Sequence, residues 1–145
     1  MNSIDPFKLK RFLRAQEDDY FVALSELRSG CKKSHWIWYI FPQVDGLGSS
    51  PMAQEYAIKS KEEAIAYLNH DVLGIRLQEC ACCLLLHQNK SIKDIMGFPD
   101  DLKLRSSMTL FSSISSAGSV FHQLLEIFFR GDLCNHTLSK LNSIR

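Results

Sequence analysis

Charge of neither sign is in excess in this chain: 17 Lys and Arg stand against 16 Asp and Glu over 145 residues, a net charge of +1. No global field draws such a protein to nucleic acid or to an anionic membrane, so nucleic acid is not an expected partner and any contact with it would have to be local. Long apolar runs are missing as well. The longest, around Cys80 to Leu86, falls far short of the roughly 20 residues that a membrane span requires, and no membrane association is expected. Cysteine is present without a pattern. Cys31, Cys80, Cys82, Cys83 and Cys134 are odd in number and follow no secretory leader, which reads as a reduced, cytoplasmic chain. Cys80 and Cys83 have C-x-x-C spacing on an apolar segment, but no second ligand pair or matching histidine spacing accompanies them. They assign core packing; no metal and no cofactor is assigned. Strand-like alternation, internal repeats, low-complexity tracts and linkers are also lacking, which removes sheet architectures and points to residues 1–145 as a single helical domain.

What is present is an ordinary globular composition, 46% hydrophobic and 23% charged, which excludes the apolar-poor balance of disorder. At this length roughly 70% of the unfolded chain's surface can be buried without a disulfide or metal staple. Asp5-Pro6 is a helix-start signal, and Phe7, Phe12, Leu13, Tyr20, Ala23, Leu24 and Leu27 recur at helical spacing up to Gly30, predicting a helix over 5–29. Ser50-Pro51 opens a short helix over 51–57, and the capping box Ser60 to Glu63 opens another through Leu68. From Val72 to His87 the pattern is apolar on several faces, predicting the central buried helix. Ser91 caps a short helix closed by Gly97, and Pro99-Asp100-Asp101 starts the next, with an aspartate as its N-cap. A serine-rich turn over 112–119 leads to an amphipathic helix stopped by Gly131, and the tail 132–145 forms one last marginal helix. The architecture is all-α or nearly so.

The densest chemical signal is Ser34-His35-Trp36-Ile37-Trp38-Tyr39-Ile40-Phe41-Pro42-Gln43, which gathers both tryptophans into a segment of no amphipathic period. Pro42 keeps a helix from running through it, so it is extended or irregular with room for one helical turn. Either indole can stack a planar group, or it can bury itself as an anchor for the first helix; at i and i+2 one ring can do each, with at least one in the core. His35 beside them suits proton transfer. Gly46-Leu47-Gly48-Ser49-Ser50 precedes a helix start and can hold an anion, although capping by Ser50 explains it equally. Asp100 to Thr109 is the richest polar cluster, with carboxylates to activate water, Lys103 or Arg105 for phosphate, and hydroxyls for a sugar. Its bland reading is a capped helix start with solvated cations.

His35-Trp36-Ile37-Trp38-Tyr39-Ile40-Phe41-Pro42-Gln43, Gly46-Leu47-Gly48-Ser49-Ser50-Pro51-Met52 and Asp100 to Phe111, occurring in this order, closely resemble the bacterial domain-of-unknown-function family DUF1810 over residues 5–129. The resemblance implies a small, mostly helical fold and no established activity. Proteins of this kind often carry the automatic label calpastatin, but inhibitor chains of that type are disordered and this one has a core. Ile37 stands where methionine is frequent in the family, which leaves the aromatic frame intact. The chain is also similar, in size and helix content alone, to the NAD- and ADP-ribose-associated helical glycosidic hydrolases; no catalytic motif of theirs maps onto it.

These segments are expected to converge on one pocket for a nucleotide-like or ADP-ribose-like small molecule, with hydrolysis of an N-glycosidic bond as its chemistry. Trp36 or Trp38 stacks the base; Arg76, Lys103, Gly48 and Ser50 hold phosphate; Gln43 and Ser107 supply hydrogen bonds. Asp101 orients water and His35 assists the leaving group, so these two are the catalytic candidates. A different class of function uses the same aromatic patch to dock a protein partner without catalysis.

Overall fold

The first helix starts later than the Asp5-Pro6 signal places it: α1 runs from Lys10 to Ser29. The computed structural model describes residues 4–143, so the expected tail beyond 143 and the first three residues lie outside the described residues. Asp5 does cap α1, but from a turn ahead of it, its carboxylate accepting from the N–H groups of Leu9 (2.8 Å) and Lys10 (3.0 Å). Lys8 stands at φ +54, a left-handed conformation that breaks the helix between the cap and the first turn. Gly30, at φ +79, ends α1 as the sequence indicates. Phe12, Tyr20, Ala23, Leu24 and Leu27 form its buried face.

The aromatic segment contains a single helical turn, α2 (Ile37–Ile40). After Pro42 the chain makes an isolated parallel bridge between Val44 and Ile58, with Ile58 N–H on the Gln43 carbonyl and Asp45 N–H on the Ile58 carbonyl, both at 2.9 Å. This bridge closes the loop that carries Gly46, Gly48 and α3 (Pro51–Glu55). Helix α4 (Lys61–Asn69) is capped by Ser60, which accepts from Glu63 N–H. The box is not reciprocal. Glu63 turns away from Ser60 and binds the Lys59 amide (2.9 Å) and the Arg11 guanidinium (2.7 Å), because a buried carboxylate gains more from a cation than from a second amide.

Helix α5 (Leu73–Leu84), continued by a 3-10 turn over Leu85–His87, is the centre of the molecule, packed by α1, α2, α4 and α8. His70 caps it, Nδ1 accepting from the amides of Val72 and Leu73 at 3.1 and 3.2 Å. Leu73, Leu77, Cys80, Ala81 and Leu84 are all buried, and burial pushes the Cys80 thiol up to about 12, as befits a packing residue. Gly74 lets α5 cross directly over the end of α4: a Cβ there would lie 1.9 Å from the Leu68 carbonyl oxygen.

Helix α6 (Ile92–Met96) is capped by Ser91 and leads to α7 (Asp100–Ser112). No side chain caps α7; Pro99 occupies that position and both aspartates sit inside the first turn, so the expected aspartate N-cap does not form. Asp100 is instead held by lysines. The helix is buried on most faces, and Ser106 and Thr109 return their hydroxyls to the carbonyls of Leu102 and Arg105, which lets polar side chains enter the interior. Helix α8 (Val120–Phe129) ends at Arg130 and Gly131, both with positive φ. The tail is better anchored than a marginal helix. Cys134 donates its N–H to Thr109 Oγ1 and accepts from Ser106 at the head of α9 (Asn135–Ser143), whose Thr137 and Leu141 are buried. Burial alone would raise the Cys134 thiol, but the Ser106 hydroxyl and the first amides of α9, at His136 and Thr137, bring it below its ordinary range.

Candidate functional site

The aromatic segment is positioned by one carboxylate. Glu26, at the end of α1, accepts from Lys33 N–H (2.8 Å), Ser34 N–H (3.0 Å), Ser34 Oγ (2.5 Å) and Trp36 Nε1 (2.9 Å). The last of these turns the Trp36 indole inward, where only 1% of the residue is exposed. Burial alone would raise the Glu26 carboxyl, but the four hydrogen bonds outweigh it and bring it from an ordinary 4.5 down to about 2. A depressed carboxyl stabilises the fold at pH values above its unfolded pKa and loses that contribution as pH falls through the folded value. Glu26→Gln is therefore expected to lose about 2 kcal/mol at neutral pH, allowing for screening of a half-buried group. In urea titrations the gap between variant and parent should close between pH 4.5 and 2; a gap independent of pH would show that the carboxylate charge is not what holds the segment.

From Trp36 a ladder of alternating rings and charges leads to the surface. Lys32 Nζ lies 4.7 Å over the Trp36 ring and 2.7 Å from Asp100 Oδ2. Asp100 Oδ1 is 3.4 Å from Lys103 Nζ, which in turn lies 4.3 Å over the ring of Trp38. The two ammonium groups share one carboxylate, so a positive charge is left over, and it sits against the half-buried indole. Gly48 closes the edge of that indole: a Cβ at Gly48 would be 3.5 Å from Trp38 Cη2 and 2.9 Å from the Ala53 Cβ. The approach to Ala53 requires glycine, while a Cβ would make only an ordinary contact with the indole.

The segments chosen from sequence thus meet in part. Trp38, Lys103 and Gly48 come together. Ser50 is near them in the chain, but its hydroxyl is used to cap α3, accepting from Ala53 N–H at 3.1 Å. Gln43 is 5% exposed and Ser107, one turn after Lys103 on α7, is fully buried; Gln43 Nε2 and Ser107 Oγ have no hydrogen-bond partner. Buried polar groups are nearly always satisfied, so each of these is an open hydrogen-bonding position in the interior. Trp36 does not join the group: it is a core residue, neither a stacking platform nor an exposed hot spot for a partner. Arg76 touches neither Trp38 nor Lys103. Its guanidinium lies 4.4 Å over the Tyr20 ring and reaches Gln16 Oε1 at 3.3 Å. His35 is exposed and its ring has no partner, while Asp101 is buried with Oδ1 unsatisfied. No hydrogen bond or ion pair joins these two candidates, one exposed and the other buried.

Arg11 and the contact of Gly46 with α9 carry no signal in the local sequence pattern, and Gln16 carries one only in its place on α1. Gln16, 1% exposed in the apolar face of α1, donates to the Tyr39 carbonyl (2.7 Å) and Tyr67 Oη (3.1 Å), tying α1 to α2 and α4. Its place, one turn after Phe12 and one before Tyr20, is the signal that marks it. Burial raises the Tyr67 phenol, which stays protonated. Gly46, at φ +92, lies against α9: a Cβ there would be 3.2 Å from Lys140 Nζ and 3.6 Å from His136 Nε2, so the glycine loop spans from the Trp38 edge to these side chains. Arg11, in the first turn of α1, pairs with Glu63 at 2.7 Å and ties α1 to α4.

Fold and site together define an all-α protein with a central helix, and beside it an indole–ammonium pair edged by a glycine loop. The chain belongs to the family described as protein of unknown function (DUF1810), which residues 6–141 match. The crystal structure of the conserved hypothetical protein Rv1873 from Mycobacterium tuberculosis is similar to it with a TM-score of 0.93 and 50% sequence identity, over 95% of this chain and 99% of that one. No curated protein matches the sequence. Among the described residues no helix is long and apolar enough to cross a membrane.

Proposed function

We propose that the Trp38 face binds a small, planar, anionic ligand of nucleotide or ADP-ribose type. The observation that carries this reading is the Lys103 ammonium, 4.3 Å over a half-buried indole and sharing its counter-ion with Lys32. A ligand phosphate can take up the excess charge by drawing Lys103 off the ring, and the uncovered indole then stacks the base. Gly48 lies against the ring edge, and Gln43 Nε2 and Ser107 Oγ offer a donor and a donor–acceptor without partners. The indole–ammonium pairing supports binding; no contact of His35 or Asp101 adds support for hydrolysis.

A thermal-shift panel of nucleotides, NAD and ADP-ribose tests it. A ligand at about 100 times its Kd stabilises the fold by about 2.7 kcal/mol, a rise in Tm of roughly 5 to 10 °C for a chain of this size. Trp38→Ala and Lys103→Ala, both at the molecule's edge, are expected to fold and to abolish the shift. A shift that survives both substitutions, or no shift with any member of the panel, would remove the reading.

A further inference from the structure

A cleft lies elsewhere, at the head of α1, and it carries a cation cluster most of whose lining carboxylates are engaged by other groups. The cleft, about 560 Å³, is lined by Pro6, Phe7, Lys8, Arg11, Lys59 and Glu63 among others, and an adjoining recess shares Lys8 and Arg11 and adds Lys10 and Arg14. Arg11 is a wall rather than a ligand. Its guanidinium donates to the carbonyls of Glu55 (2.7 Å), Phe7 (2.6 Å), Lys8 (3.0 Å) and Ala57 (2.9 Å) and pairs with Glu63 at 2.7 Å. Asp5 is spent on the amides of Leu9 and Lys10, and Glu63 on Arg11 and the Lys59 amide. Among the described residues, Lys8, Lys10, Arg14 and Lys59 have no carboxylate within ion-pair distance, and Glu55 is the one lining carboxylate left to oppose them.

Lys8 adds a second line of argument. It holds φ +54, a conformation that glycine adopts without penalty and lysine does not, at the rim of this cleft. A long charged side chain on a backbone that favours glycine is a strained choice, and such strain clusters at ligand sites. The volume is within the range of small-molecule sites, the half-buried Phe7 and the exposed Pro6 give an apolar wall, and lysine ammonium groups act as point charges for phosphate. We infer that this cleft is a second ligand site, separate from the Trp38 face, for the phosphate or pyrophosphate group of a small ligand, with Lys8 and Lys59 as its principal cations.

Calorimetric titration of the full chain with inorganic pyrophosphate, at ionic strength held constant with chloride, tests the inference. Saturable binding is expected, weakened about tenfold by Lys8→Gly and again by Lys59→Ala. Lys8→Gly relieves the backbone, so it should unfold at the same or a higher temperature than the parent while binding less. That opposition separates a ligand role from a structural one. No saturable binding, binding unchanged in both variants, or binding lost only in Lys103→Ala would overturn the proposal; the last result would move the anion to the Trp38 face.

Discussion

Trp36→Ala is expected to lose about 3 to 5 kcal/mol of stability, a fall in Tm on the order of 10 °C for a chain of this length. The indole is among the largest fully buried side chains, and its ring packs against Phe41 at a centroid distance of 6.2 Å. Truncation would empty that volume and also free one acceptor position on Glu26, which organises Lys33, Ser34 and the start of α2. Trp36→Phe should fall between, keeping most of the packing and losing the Nε1 hydrogen bond. Urea unfolding of the three proteins measures both parts. If Trp36→Ala unfolded within a degree or two of the parent, the ring would not be an anchor and its candidacy as a stacking surface would return.

Gly74→Ala should be nearly as damaging, at about 3 kcal/mol, the upper end for an overpacked contact. The obstacle is backbone: the added carbon would meet the Leu68 carbonyl oxygen at 1.9 Å and its carbon at 2.8 Å. No rotamer change relieves such a clash, so α5 must lift from the end of α4 and strain the His70 cap between them. Since glycine inside a helix is otherwise destabilising by about 1 kcal/mol relative to alanine, a site without the close approach would gain from the same change. A Gly74→Ala protein as stable as the parent would mean that α4 and α5 are not held at this distance.

Much of the helical frame could be read from local chemistry. Ser50, Ser60 and Ser91 each cap the helix that follows them, and Gly30 ends α1, because a cap depends on neighbours within a few residues. What could not be read were choices among distant partners. Asp100 had the position of a helix cap, yet Lys32, far back in the chain, takes it, and Glu63 leaves its capping box for Arg11. Trp36 and Trp38 are alike in the sequence; Glu26 decides which one faces inward. Of the candidate site, the segments bearing Trp38, Gly48 and Lys103 could be marked as motifs but not brought together, and Arg76 was drawn to Gln16 and Tyr20 by a helix contact that no local pattern encodes.

The partners of Arg11 have a kinetic consequence. One guanidinium ties the turn at Phe7 and Lys8, the chain at Glu55 and Ala57, and Glu63 at the head of α4, segments that share few other links. Opening any of them releases the same side chain and weakens the rest. The amides around 7–11, 55–57 and 61–63 should therefore exchange with solvent as a group, ahead of α5 and at a common free energy, so that the rim of the cleft forms one cooperative unit within the fold.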